Sequence, residues 1–354
     1  MQLPTGTQSA ASLLQTLTSL ASRRFSCNCQ ALDDLLTPRK PRQNGQIESE
    51  EEEQGLPRGG LLELVGPAGI GKSRAALGFV VAEAFASLDR QDADIGGQVL
   101  VIDAEGSLGP AMLEDTMRAY AGHNGYDNTA LAQVLDRVHY RRIDSIWTLV
   151  AWLHTVEVWL AEHPAVSLVV VDSLTSHFRP ILAFSTRKLV ANLIRTVLAS
   201  IMASRRVSVI LTAHMSNKLF GLDNRPTSWT YDAEAMLVPT IPPEAYLPGY
   251  TAARSRVENG STQDPRLSQA RNGNGDNMRS GIGGEGIWRI LMYFDRDGER
   301  MARLLDSPVE TKKVEAAFTM DLLGPCDHQH PATPNSVSDE AMSTSHDLDL
   351  TPKS

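Results

Sequence analysis

The chain has 354 residues, 42% of them hydrophobic, so it is long enough to bury one large core or two modest ones without disulfides. Its three cysteines exclude a disulfide framework, which favours a reducing compartment. No apolar run approaches the ~20 residues that cross a bilayer, so we expect no membrane partner. The formal net charge of -9 excludes little, because an acidic run near residue 50 and an acidic C-terminal tail account for it.

The first 24 residues are predicted to form an N-terminal helix or linker. Leu13, Leu17, Leu20 and Arg24 follow helical spacing, with the leucines on one face. A second interpretation is a mitochondrial presequence, because the first 32 residues contain no acid and are rich in Ser and Thr. Both interpretations stay open at this point.

Three segments are predicted to lack regular structure, and they divide the chain. An insertion at about 37–55 mixes prolines with a run of acids, and a second at about 249–286 is rich in Gly, Asn, Ser and Arg. A tail at 325–354 is acidic and without periodicity. We therefore predict one core at 25–324 that carries both insertions.

Short runs rich in Val, Ile and Leu alternate with helical patterns along this core. The predicted strands lie at 61–65, 99–102, 138–142, 168–171 and 207–211. The predicted crossover helices lie at 72–87, 111–121, 145–162 and 186–204. This alternation predicts an α/β fold, a mostly parallel sheet with helices on both faces, and residues 287–308 predict an antiparallel hairpin at the sheet's C-terminal edge.

A glycine-rich segment follows the first predicted strand and opens the first predicted helix. The residues that fit G-x-x-x-x-G-K-[ST] are Gly66, Pro67, Ala68, Gly69, Ile70, Gly71, Lys72 and Ser73. Its glycines let backbone N–H groups surround phosphate oxygens, Lys72 supplies a positive charge, and the Ser73 hydroxyl is a ligand for Mg²⁺. The segment therefore predicts a site for ATP with Mg²⁺.

A carboxylate is expected at the end of another buried strand. In "SLVVVDSL", four apolar residues precede Asp172, which places it at the carboxyl end of a strand, where parallel sheets hold their ligands. We predict that Asp172 and Ser73 hold the metal. A helix-capping role for this aspartate is the alternative.

Two further strand ends carry polar residues. In "VIDAEGSL", Asp103 and Glu105 are two residues apart and would share one face of a strand, so both are candidates to face the nucleotide. Glu105 is the preferred candidate to activate the attacking water. In "VILTAHMSNK", Thr212 and His214 end the fifth strand, and His214 is a candidate sensor of the γ-phosphate. The tail cluster of Cys326, His328 and His330 is expected not to bind metal.

Together these motifs resemble the RecA-type recombinase family, and within it the eukaryotic Rad-type recombinase paralogues, most closely the C-type. The resemblance covers about residues 25–324 and rests on six segments in order: "FSCNCQALDDLL", "GLPRGGLLELVGPAGIGKS", "VIDAEGS", "LVVVDSLTSHFR", "VSVILTAHMSNKL" and "LLDSPVETKKVEAAFTM". It implies a RecA-like ATPase core, a slow DNA-dependent ATPase activity, and a role in homologous recombination and double-strand break repair. It also implies a nuclear location.

The resemblance assigns roles to matching positions. Glu105 corresponds to the water-activating glutamate, and His214 stands where the family usually has a γ-phosphate-sensing glutamine. Met112 stands where the main recombinase has an arginine that stacks on adenine. The segment Asp306-Ser307-Pro308 resembles a cap over the nucleotide of a neighbouring subunit. The implied partners are other recombinase paralogues, the main recombinase, and single-stranded or branched DNA.

The chain also departs from this family. Too few residues precede Phe25 for the family's N-terminal DNA-binding domain, and the first DNA-binding loop, between Arg179 and Arg187, is short. The second DNA-loop region carries the long insertion, whose arginines are Arg254, Arg256, Arg266, Arg271 and Arg279. They are candidates for phosphate contacts. Four acids in the insertion nearly balance them, so a solvated loop is the alternative, and an ATP-bound scaffold is the alternative to an ATPase.

Overall fold

The computed structural model describes residues 24–39, 54–86, 88, 97–178, 183–220, 234–250, 286–321 and 323–327. The predicted segment 1–24 lies outside these residues except for Arg24, as does most of each predicted insertion and of the tail. Several candidate residues are also outside the described part: Arg179, Arg254, Arg256, Arg266, Arg271, Arg279, His328 and His330.

The described strands and helices alternate over most of the chain. The strands are β1 (Arg24–Phe25), β2 (Leu56–Pro57), β3 (Leu61–Gly66), β4 (Gln98–Asp103), β5 (Val138–Arg142), β6 (Val166–Asp172), β7 (Ser208–Phe220), β8 (Glu234–Pro239), β9 (Ile287–Phe294), β10 (Arg300–Asp306), β11 (Glu315–Met320) and β12 (Pro325–Asp327). The helices are α1 (Gln30–Leu36), α2 (Lys72–Ala86), α3 (Pro110–Asn124), α4 (Asn128–Leu135), α5 (Ile146–Glu162), α6 (Phe184–Ala203) and α7 (Pro243–Tyr246).

One large sheet organises the molecule, with strand order β12-β11-β10-β9-β3-β7-β6-β4-β5. The strands from β9 to β5 in that order run parallel, and β10, β11 and β12 continue the sheet in antiparallel pairs. β8 pairs antiparallel with the outer part of β7, and β1 pairs with β2 in a separate small sheet. The five predicted parallel strands and the α/β class are confirmed.

The predicted C-terminal hairpin forms as β9 and β10, but it does not lie at the edge of the sheet. β9 pairs with β3, and the sheet continues beyond β10 through β11 to β12. The last of these strands covers Pro325–Asp327, at the start of the predicted unstructured tail. Three residues beginning with proline are too short to show a strand pattern, which is why the sequence placed the boundary at residue 324.

Side chains from successive strand residues point to opposite faces of the sheet. Val99 and Val101 join a hydrophobic cluster with α1 to α4, whereas Leu100 and Ile102 join a second cluster with α5 to α7. Because both faces are covered, the central strands are mostly apolar. Among the described helices, none is long and apolar enough to cross a membrane.

Candidate functional site

The glycine-rich loop leads from the carboxyl end of β3 to the first turn of α2 and surrounds an open space. Gly69 has a φ of +81° and Gly71 one of +111°, conformations that glycine adopts without strain. No atom lies within 4 Å of the position that a Cβ on Gly69 would take, while Ile70 is fully buried and anchors the loop in the core. The loop therefore leaves room for an anion at the N-terminus of α2.

Lys72 is buried at the start of α2, with 5% of its surface exposed. Its Nζ donates hydrogen bonds to the carbonyl oxygens of Gly66 (3.0 Å) and Pro67 (2.8 Å). A Cβ on Gly66 would lie 2.3 Å from the carbonyl oxygen of Met292, so only glycine fits there. These contacts hold the ammonium group of Lys72 against the loop, close to where an anion would bind.

Asp172, the last residue of β6, is 1% exposed and accepts hydrogen bonds from three hydroxyls. Its Oδ1 accepts from Ser73 Oγ at 3.0 Å and from Thr212 Oγ1, and its Oδ2 accepts from Ser107 Oγ. The peptide bond that follows Asp172 is cis. All three donors are neutral, so this set of hydrogen bonds does not neutralise the buried carboxylate.

This donor set fits Mg²⁺, which prefers oxygen ligands and usually shares them with phosphate and water. The carboxylate of Asp172 and the hydroxyl of Ser73 are close enough to meet one small cation. Within the described ranges, no group of three or more His, Cys, Asp or Glu side chains is arranged to hold a metal alone. A cation here would therefore need phosphate or water oxygens to complete its ligands.

Glu105 and His214 meet across the cavity. His214 Nε2 lies 2.5 Å from Glu105 Oε2, and the side chains are 8% and 32% exposed. His214 is placed by β7, whose register sets it beside Gly66, and its backbone N–H donates to Thr175 Oγ1 at 2.9 Å. Thr212, which the sequence placed at the end of the same strand, donates to Asp172 instead of lining the cavity.

Asp103 does not share the position of Glu105, although the sequence allowed both to face the nucleotide. The strand ends at Asp103, whose carboxylate is buried and accepts from Tyr140 OH (3.0 Å) and Arg142 (2.9 Å). The chain then turns at Gly106, and this turn directs the Glu105 side chain into the cavity. Only Glu105 of the two lines the cavity.

These elements surround a cavity of about 700 Å³. The residues singled out from the sequence that line it are Ala68, Gly69, Gly71, Lys72, Ser73, Glu105, Met112 and His214. The carboxyl ends of β3, β4, β6 and β7 thus meet as a parallel sheet requires. Gly66, Pro67 and Ile70 shape the loop through a carbonyl or a buried side chain rather than lining the cavity.

Sequence reasoning missed a second wall, which comes from the C-terminal strands. Met320 covers Gly71, since a Cβ there would lie 2.5 Å from Met320 Cε. Arg300 Nε donates to the carbonyl oxygen of Ile70 at 3.2 Å, and Arg74 donates to that of Asp321 at 3.0 Å. No local motif marks these residues, because pairing of β9 with β3 brings distant sequence to the loop.

Comparison with known proteins agrees with this geometry. A family model described as the AAA domain matches residues 30–218, more than half of the chain. The matched region contains Lys72, Glu105, Asp172 and His214, whereas Arg300 and Met320 lie beyond it. A search of curated proteins finds no match. The chain therefore belongs to the AAA domain family, a RecA-like P-loop ATPase family whose membership implies nucleotide binding.

Proposed function

We propose that the chain is an ATP-binding accessory protein of homologous recombination, a recombinase paralogue that hydrolyses ATP slowly. Its membership of a RecA-like P-loop family supports the ATPase part of this proposal. The recombination part is supported by the order of the motifs along the sequence and by the identities of their residues. The observation that carries the proposal is the placement of Glu105 on the cavity wall, opposite Lys72 and Ser73 of the P-loop.

In the proposed hydrolysis of ATP, each residue of the cavity has a separate role. When bound, Mg²⁺ and ATP supply the γ-phosphoryl group and the positive charge that offsets its oxygens. Lys72 and the loop amides would hold phosphate oxygens, and Ser73 with Asp172 would hold the metal. Glu105 would accept a proton from the water that attacks the γ-phosphorus as the bond to ADP breaks, which is the role of a positioned carboxylate base.

The proposed slow rate rests on His214. The hydrogen bond to His214, at 2.5 Å, engages Oε2 of the Glu105 carboxylate and lowers its capacity to accept a proton from water until that bond opens. The strand that carries His214 continues into the ribbon of β7 and β8, so movement of His214 is transmitted to the segment after it. Through this segment the nucleotide would control contacts with recombinase partners and DNA in the nucleus. The arginines at 254–279 are the proposed phosphate contacts.

The same hydrogen bond favours a second candidate function. If Glu105 stays bound to His214 with ATP present, the nucleotide serves as a structural ligand. The protein is then a scaffold that bridges recombination proteins.

ATP hydrolysis by the purified full chain, with its co-purified partner, tests the proposal in the presence and absence of single-stranded DNA. We expect DNA-stimulated turnover above that of a Glu105→Gln control. Turnover equal to the control would contradict the ATPase and support the scaffold. Lys72→Ala separates the two further: the ATPase proposal expects lost repair with an intact partner complex, whereas the scaffold expects the complex to dissociate.

A further inference from the structure

The turn that presents Glu105 is built around the carboxylate of Asp103. Asp103 Oδ1 accepts hydrogen bonds from the backbone N–H groups of Glu105 (3.2 Å) and Gly106 (2.5 Å). The same backbone N–H of Glu105 also reaches the carbonyl oxygen of Asp172, at 3.3 Å. The position of the Glu105 backbone therefore depends on where the Asp103 carboxylate is held.

Two side chains from β5, the outermost strand of the sheet, hold that carboxylate. Arg142 donates to Asp103 Oδ1 at 2.9 Å and to its carbonyl oxygen at 3.1 Å, and Tyr140 OH donates to Oδ2 at 3.0 Å. Burial and the neighbouring carboxylate raise the pKa of Tyr140 to about 12, so its phenol keeps the proton that it donates. Asp103 is thus fixed from two directions.

Arg142 also lies against the turn itself. A Cβ on Gly106 would come within 3.1 Å of the Arg142 guanidinium, and Gly106 has a φ of +91°. The Arg142 side chain is 43% exposed, and it does not line the nucleotide cavity. It contacts the turn from outside, on the side away from the loop of β3 and α2.

We infer that Arg142 is a positioning residue for Glu105, acting through Asp103 from the edge strand of the sheet. The inference rests on the proposed ATPase function and names a residue that controls its catalytic base. Without the guanidinium, the buried Asp103 carboxylate loses its cationic partner and the two backbone N–H groups lose a fixed acceptor. Glu105 then no longer holds the position needed to align water.

The kinetic experiment compares Arg142→Gln with Arg142→Lys in the full chain with its partner and DNA. We expect Arg142→Gln to lower kcat by about ten- to a hundredfold, as small misplacements of a catalytic group do. The KM for ATP and the Kd for a non-hydrolysable ATP analogue should change less than about twofold, because the phosphate contacts remain. Arg142→Lys should restore much of kcat, since an ammonium group can donate to the same two oxygens.

Arg141→Gln is the matched control, because Arg141 is exposed on the same strand and should leave kcat unchanged. A lower free energy of unfolding for Arg142→Gln with an unchanged kcat would overturn the inference and leave Arg142 a structural residue. Should Arg142→Gln fail to fold, the double variant Asp103→Asn/Arg142→Gln removes the buried charge and should show the same loss of kcat.

Hydrogen–deuterium exchange separates this inference from the proposed function. In nucleotide-free protein, the backbone amides at 105–106 should exchange faster in Arg142→Gln than in the wild type, while the amides of β4 should exchange at unchanged rates. This measurement can be made even if the wild type shows no ATP turnover. Absence of turnover would contradict the proposed ATPase function but not the positioning role of Arg142. Unchanged exchange at these amides would overturn the positioning role.

Discussion

The hydrogen bond between His214 and Glu105 joins two residues whose local sequences gave them separate roles. Neither motif predicts that the two side chains touch, because they lie 109 positions apart and meet only through the parallel order of β4, β6 and β7. Their contact engages the proposed base before any nucleotide is bound. The exposed fraction of Glu105, 32%, still leaves water access to its carboxylate.

Replacing His214 with glutamine should speed hydrolysis. Glutamine cannot carry a positive charge, so it cannot form the charge-assisted hydrogen bond that a histidine can make with this carboxylate. A difference of about 1 kcal/mol corresponds to about a fivefold rise in the single-turnover rate. Rapid-quench measurement with excess protein tests this, and Glu105→Gln in the same background should abolish the gain. A slower rate would mean that His214 itself contacts the reacting phosphate.

At the scale of secondary structure, the sequence predicted the elements that are marked by a short, contiguous run of residues. The five parallel strands were predictable because each is a short run of Val, Ile and Leu, and the P-loop because its glycines and Lys72 are contiguous. α4 and β11 were missed, since eight- and six-residue elements of mixed composition carry little pattern. The cavity wall formed by Arg300 and Met320 was not predictable, because it depends on strand pairing across more than 200 positions.

Removing one partner of the buried ion pair between β3 and β9 should destabilise the fold strongly. Arg289 Nε lies 2.6 Å from Glu63 Oε2, both residues are buried, and Tyr246 OH donates to the same carboxylate. Arg289→Met leaves Glu63 without a counter-charge and should lower the free energy of unfolding by about 3–5 kcal/mol. Urea titration measures the loss.

The double variant Glu63→Gln/Arg289→Met provides the control for that prediction. It removes the uncompensated charge and keeps an acceptor for Tyr246, so it should recover at least half of the stability lost by Arg289→Met alone. A double variant no more stable than the single one would show that packing of Arg289, rather than charge, dominates.

The buried Asp33 of helix α1 should make the fold more stable in mild acid than at neutral pH. Burial raises the pKa of Asp33 from 3.8 to about 6, against the hydrogen bonds that it accepts from Ser26 and Cys27. Since the folded state binds this proton more tightly than the unfolded state, the contribution of Asp33 to stability falls as the pH rises from about 4 to 6. A shift of about two pKa units corresponds to about 3 kcal/mol.

Asp33→Asn should remove this dependence. The difference in free energy of unfolding between Asp33→Asn and the wild type should therefore grow in favour of the variant between pH 4 and pH 6, and stay constant above pH 7. Urea unfolding at several pH values measures it, with Asp115→Asn on the exposed face of α3 as the matched control. A difference that does not vary with pH would contradict the raised pKa.

At the scale of the whole molecule, the cavity joins residues from 68 to 321, so ligand binding and folding should be linked. With Mg²⁺ and ATP at about 100 times Kd, the linkage contributes about 2.7 kcal/mol, which corresponds to a rise in Tm of about 5 °C for a domain of this size. Differential scanning calorimetry measures the rise. Lys72→Ala should abolish it, while Lys188→Ala, exposed on α6, should retain it.

Among the described residues, the last strand of the sheet also closes the fold back onto the first helix, α1. Asp327 Oδ1 accepts the backbone N–H of Ala31 at 2.7 Å, a contact between residues 296 positions apart. At about 5–20 residues per second, a ribosome needs about 15–60 s to make that intervening length. During this time the apolar side chains of α1 have no finished surface to cover them, so the nascent chain should depend on chaperones until its synthesis is nearly complete.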